Sequence, residues 1–141
     1  MQIMSTLVNQ ISTQAHQARH AKRRRIHEIL ALSHYLPKYE QTLIQQVYEE
    51  GLPVSRLARL YQQSPKLMQR RIDTIVKRMS NKLFRFVAMH EDTLPIEVRP
   101  TARHVVLQGM SLRRTAKKTG RSLHAIRQHM NTVRATARLF V

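Results

Sequence analysis

Apolar residues recur along most of this chain at intervals of three and four, the spacing that lines one face of a helix. Residues 3–33 contain neither Gly nor Pro. They carry Ile3, Leu7, Ile11, Ala15 and Ala18, then Ile26, Ile29 and Leu30 beyond a run of arginines. One long helix is predicted there. Leu36-Pro37 ends it, because Pro fits the first turn of a helix but breaks an interior. Residues 37–50, with Leu43, Ile44 and Val47, predict a second amphipathic helix that stops at Gly51. Residues 55–61 (SRLARLY) predict a short helix with Ser55 as its N-cap. Ser64 is a good cap for the next helix, and Pro65 falls at the first helical position, where Pro is favoured. From there Leu67, Met68, Ile72, Ile75, Val76, Met79, Leu83 and Val87 keep the helical period to about His90. HEDTLP then reads as a polar turn.

After that turn the order of features recurs. Leu36-Pro37 and Leu94-Pro95 lie 58 residues apart, and so do Gly51 and Gly109. At this offset Val47 meets Val105, Arg56 meets Arg114, Ala58 meets Ala116, Ser64 meets Ser122 and Thr74 meets Thr132. Between 36–83 and 94–141 only eight of 48 positions are identical. They nevertheless include a capping Ser, a turn Gly and a small Ala, which are places where local physics restricts the choice. Apolar partners (Leu52 with Met110, Met68 with Ile126, Ile72 with Met130) extend the match. The pattern predicts a tandem duplication. Pro100 aligns with Thr42, so the first helix of the second unit should begin later, near residue 100. The expected fold is all-α: an N-terminal basic helix in 1–35, then two three-helix units at 36–90 and 91–141. Units of about 50 residues bury little core alone and need help from each other or from the N-terminal helix.

Within each unit a short helix, a tight turn and a longer helix follow one another, which is the helix-turn-helix plan. The apolar pairs Met68/Ile72 and Ile126/Met130 would anchor the longer helices, 65–79 and 123–137. Their outer faces would then present Lys66, Gln69, Arg70 and Asp73 in one unit and His124, Arg127, Gln128 and Asn131 in the other. Arg pairs bidentately with guanine, and Asn or Gln with adenine, in the major groove. An Arg70–Asp73 pair could instead be an i,i+3 salt bridge.

Charge narrows the field of partners. Lys and Arg number 25 against 8 Asp and Glu, a net charge of +17, so a polyanion is expected. Residues 1–27 hold Arg19, Lys22, Arg23, Arg24 and Arg25 and no acid, and no acid follows Glu97. Arg23, Arg24 and Arg25 are candidates for a phosphate-binding arm. Ser64, Lys77, Arg78, Ser122 and Arg134 are further candidates for phosphate contacts. Trp is absent and aromatics make up 5%, which argues against stacking platforms for single-stranded nucleic acid or RNA. With no Cys, disulfides and thiolate zinc sites are excluded. His16 and His20 sit four apart, but no Cys or carboxylate lies near enough in sequence to complete a metal shell. No nucleophile-base order, carboxylate pair or Gly-rich phosphate loop stands out, so neither enzymatic activity nor a cofactor is expected. No apolar run approaches the ~20 residues of a bilayer span and no signal peptide is read. The expectation is a cytoplasmic, nucleoid-associated protein.

The stretch LPKYEQTLIQQVYEEGLPVSRLARLYQQSPKLMQRRIDTIVKRM, 36–79, resembles region four of bacterial sigma factors, the module that reads the −35 promoter element. The resemblance extends more weakly to 94–137. It rests on Leu-Pro opening the first helix, G-[LM]-[PS]-[VL] before the second, a central Ala and a capping Ser. It implies that Lys66, Gln69, Arg70 and their partners face bases, with Arg71 and His129 near phosphates. Two departures stand out. The turn Gly of the family is Gly120 in the second unit but Gln62 in the first, and Thr115 and Lys118 replace Leu57 and Leu60. Nothing resembles the sigma segments that melt the promoter and grip polymerase, so a regulator built from two such modules fits better than a complete sigma factor. Three alternatives compete with sequence-specific binding of double-stranded DNA in transcriptional control. One is an adaptor that binds RNA polymerase or another DNA-bound protein, one is a DNA-targeting subunit of a transposase or recombinase, and one is RNA binding. Met4, Leu7, Ile11, Ala18 and Ala21 approximate a heptad seam, so the N-terminal helix would either cover the core or form a homodimer.

Overall fold

The computed structural model describes residues 2–140, all of whose regular structure is helical. Helix α1 spans Gln2–Ser33, about 48 Å at 1.5 Å per residue. Only its last turns bury side chains, at Ile29, Leu32 and Ser33. The expected core-covering role is therefore confined to that end, and residues 2–25 are exposed throughout. Helix α2 (Lys38–Tyr48) follows Pro37 and turns Leu43 and Ile44 fully inward.

Helix α3 runs Val54–Leu60 with Pro53 at its N-cap position, so Ser55 lies inside the helix rather than capping it. Helix α4 (Pro65–Met79) starts as its sequence implies. The Ser64 hydroxyl accepts from the Leu67 amide at 3.1 Å, and Pro65 fills the first position. The helical period does not carry through to His90 unbroken. The chain leaves the helix at Ser80, and Asn81 caps a separate helix α5 (Lys82–His90) by accepting from the Leu83 amide at 2.9 Å. Met79, Leu83 and Val87 keep a four-residue period across this break, which is why the apolar pattern alone hides it.

A single 3₁₀ turn (Glu91–Thr93) leads to helix α6, which begins at Arg99 with Pro100 in its first turn and widens to π-type winding over Arg103–Leu107. The late start matches the expectation set by Pro100. Helix α7 (Leu112–Thr119) is capped by Ser111 and ends at Gly120, and α8 (Leu123–Arg138) is capped by Ser122.

One continuous apolar cluster runs from Ile29 and Leu32 through Leu57, Met68 and Ile75 to Phe84, Val106 and Val133. Helix α5 joins the two halves. Its Phe84, Phe86 and Val87 are buried while it packs on the π-wound part of α6 and on α8. Neither unit closes its core alone, as the small size of each requires.

Candidate nucleic-acid interface

At the turns related by the 58-residue offset the two stretches make matching hydrogen bonds. Gly51 and Gly109 both adopt left-handed backbone, φ +71° and +67°. Beyond each glycine the next amide donates back across the turn, Leu52 N to Gln46 O and Met110 N to His104 O, both 2.9 Å. Between the paired helices, Gln62 (φ +53°) and Gly120 (φ +68°) take the same conformation. Gln63 N then donates to Ala58 O at 2.9 Å, and Arg121 N to Ala116 O at 3.1 Å. The second helix is capped by Ser64 in one stretch and by Ser122, which accepts from Ala125 N at 3.0 Å, in the other. Buried positions correspond too: Leu57 with Thr115, Met68 with Ile126, Ile72 with Met130, Ile75 with Val133. Thr115 replaces a leucine without leaving an orphan, since its hydroxyl donates to Ser111 O at 2.8 Å. Leu60 is 62% exposed, so its replacement by Lys118 removes nothing from the core.

With the inner faces fixed, the outer faces follow. Lys66, Gln69, Arg70 and Asp73 on α4 are exposed, as are His124, Arg127, Gln128 and Asn131 on α8. Asp73 does not pair with Arg70; its Oδ1 accepts from Gln69 Nε2 at 2.8 Å. The side chains of Lys66, Arg70 and Arg127 have no hydrogen-bond or ionic partner among the described residues, and so are free to meet a ligand.

The candidates for phosphate contact divide. Ser64 and Ser122 sit at helix N-termini, where amides and a free hydroxyl proton converge. Lys77, Arg134 and the arm Arg23, Arg24 and Arg25 are exposed. Arg71 donates to Tyr39 Oη at 2.8 Å and lies over that ring, 5.8 Å from its centre. Two candidates are corrected. Arg78 is drawn inward by an ion pair with Glu40, with 17% of its side chain exposed. His129 turns toward α6, its Nδ1 2.8 Å from Thr101 Oγ1. Burial, then the charge of Arg121, lower its pKa against a smaller opposing pull from Glu97. The lowered pKa disfavours the charged ring that a phosphate contact would use.

Helix α7 adds basic side chains that the sequence reading left unassigned. Arg113, Arg114, Lys117 and Lys118, with Arg121 just beyond, are all exposed. The acid-free run after Glu97 was the available signal. Elsewhere the His16 and His20 rings meet edge to face with their Nε2 atoms 3.0 Å apart, and no cluster of three metal-ligating side chains occurs among the described residues. A groove of about 970 Å³ lies between the end of α1, the start of α5 and the end of α8. Leu83, Phe86 and Phe140 form part of its apolar lining, with Arg25, Lys82 and Arg138 also at its walls. No described helix is long and apolar enough to cross a membrane. Comparison of the chain with family models, curated proteins and solved structures finds no match.

Proposed function

We propose that the protein binds double-stranded DNA at specific sequences in the control of transcription. In this reading the two helix-turn-helix modules sit in tandem, and α4 and α8 enter major grooves. The observation that carries the proposal is the doubled arrangement of an unpaired arginine, Arg70 or Arg127, beside an amide side chain on the outer face of a Ser-capped helix. Gln69–Arg70 in one helix becomes Arg127–Gln128 in the other, at the same offset with the order reversed. One protomer would then read an asymmetric site, with the helices in successive major grooves about 34 Å apart. The basic side chains of α7, Lys77, Arg134 and the α1 arm would hold phosphates and make binding steeply salt-dependent. Resemblance of 36–79 to sigma region four supports the same reading, and DNA binding implies association with the nucleoid.

The test is the affinity of Arg70→Ala and Arg127→Ala for a duplex selected by the wild-type chain. Each should lose ~1–3 kcal/mol and relax base choice at its own position. Lys77→Ala should weaken all sequences alike and reduce the salt slope by about one. Arginine variants that bind the selected duplex as well as wild type would end the proposal. The groove favours a second reading, an adaptor that seats an acidic, apolar segment of a protein such as RNA polymerase. Such an adaptor would keep its partner affinity in both arginine variants.

A further inference from the structure

Residues 2–25 of α1 touch no other part of the fold in any way that buries them, yet they are not polar all round. Ile3, Met4, Leu7, Val8 and Ile11 stand between 48% and 78% exposed. At 100° per residue they share one stripe about 140° wide, the width of a helix face that normally packs on something. The opposite side presents Thr6, Asn9 and Thr13, and Thr6 and Thr13 donate to their own helix backbone at 2.9 and 2.8 Å. In proteins most of a helix's stability comes from the packing of its amphipathic face rather than from propensity. Its stability as a helix asks for a cover.

We propose that a second copy supplies it: residues 2–18 of two protomers pair along this stripe and make the protein a homodimer. The charge pattern admits a second copy. From Gln2 to Ala18 there is no Lys, Arg, Asp or Glu. A foreign helix is chosen, and a like one rejected, by charges flanking the seam; here nothing does either. A helix lying on a membrane surface carries Lys or Arg along its polar face, whereas from Gln2 to Ala18 this face holds Thr, Asn, Ser and Gln with the single imidazole of His16. The area is adequate. Five large apolar side chains on each of two helices offer a surface of the order of the ~1,000 Å² that a specific interface needs.

The five cations from Arg19 to Arg25 decide the direction of pairing. Side by side they would repel. Antiparallel helices place the two clusters at opposite ends, more than about 20 Å apart, where a Debye length of ~10 Å screens them. On the DNA-binding reading above, a dimer would carry four reading helices and its site would be an inverted repeat of asymmetric halves. That consequence rests on the proposed function, but the self-association does not, and its test contains no DNA.

Sedimentation velocity of the full chain without DNA, from about 1 to about 100 µM, tests it. The wild type should sediment as a dimer, little changed by added sodium chloride. A variant carrying Leu7→Glu and Ile11→Glu should raise the dimer dissociation constant at least about a hundredfold. Asn9→Glu with Thr13→Glu puts the same charges at the same spacing on the opposite face and should remain dimeric. Thermal melting of both variants reports that the body, which buries none of these four residues, stays folded. A wild type that is monomeric at the highest concentration, equal behaviour of the two double variants, or association seen only with phosphatidylglycerol vesicles would overturn the proposal. A dimer that tightens strongly with salt would overturn the antiparallel arrangement.

Discussion

Gly109, Arg78 and Glu40 come from three separate elements and meet at one point. Glu40 in the first turn of α2 holds the Arg78 guanidinium in an ion pair, and a Cβ placed on Gly109 would collide with that guanidinium. Gly51, its counterpart in the first unit, has open space around the same position. Gly51→Ala should therefore cost ~1 kcal/mol, the strain of a left-handed residue with a side chain. Gly109→Ala should cost more, at least ~2 kcal/mol, because it also displaces Arg78 from Glu40. Urea unfolding of the two variants measures the difference, and equal losses would contradict the contact. The glycines were legible in the sequence from their matched spacing. The inward turn of Arg78 was not, since its partner lies 38 residues away and becomes a neighbour only through packing. His129 makes a second prediction. Its folded pKa lies below the usual histidine value, so the unfolded chain takes up its proton first as pH falls. Stability should drop as the pH goes down through the ordinary histidine range toward the folded value, and be fully present above that range. Comparing thermal midpoints at pH 7.5 and about 5.5, His129→Asn should lose less than wild type. An equal drop in both chains would remove His129 as a source.

Among the elements, local chemistry decided the ends and tertiary packing decided the rest. Ser64, Ser122 and Asn81 each accept an amide proton at a helix start. Replacing any of them with Ala should cost about 1 kcal/mol of stability, read by chemical denaturation; a change near zero would show that the cap carries nothing. Two of these caps stood out in the sequence because a Ser precedes a change of pattern after a recognisable turn. Asn81 was masked by apolar residues that keep their period on both sides of it. The turn at Gln62 shows how firmly the packing sets the backbone. A glutamine adopts there the left-handed conformation for which the second unit uses Gly120. The buried set Leu57, Met68 and Ile72 fixes both flanking helices, so the residue between them has no alternative. Helix α1 is the reverse case: its length was plain from the absence of Gly and Pro, but what its stripe covers is not written within one chain.

At the scale of the whole molecule, the repeat and the charge point the same way. One core binds both units through α5, so the outward faces of α4 and α8 are carried on a single body rather than on independent beads. The all-helical class, the tandem offset and the exposed faces of the two longer helices could all be read from periodicity, capping and spacing. The continuity of the core through α5, the withdrawal of Arg78 and His129, and the basic face of α7 could not, because each depends on which helix lies beside which. A net charge of +17 would favour any polyanion, so affinity alone would decide little for the proposed function; base preference is the discriminating property. Selection of bound duplexes from a random pool is the direct measurement, made with the wild type and with the exposed faces of α4 and α8 altered separately by Gln69→Ala/Arg70→Ala and Arg127→Ala/Gln128→Ala. An enriched motif with two separable halves is expected, one lost with each altered helix. A pool that enriches nothing above background, or a motif untouched by either pair of substitutions, would contradict it.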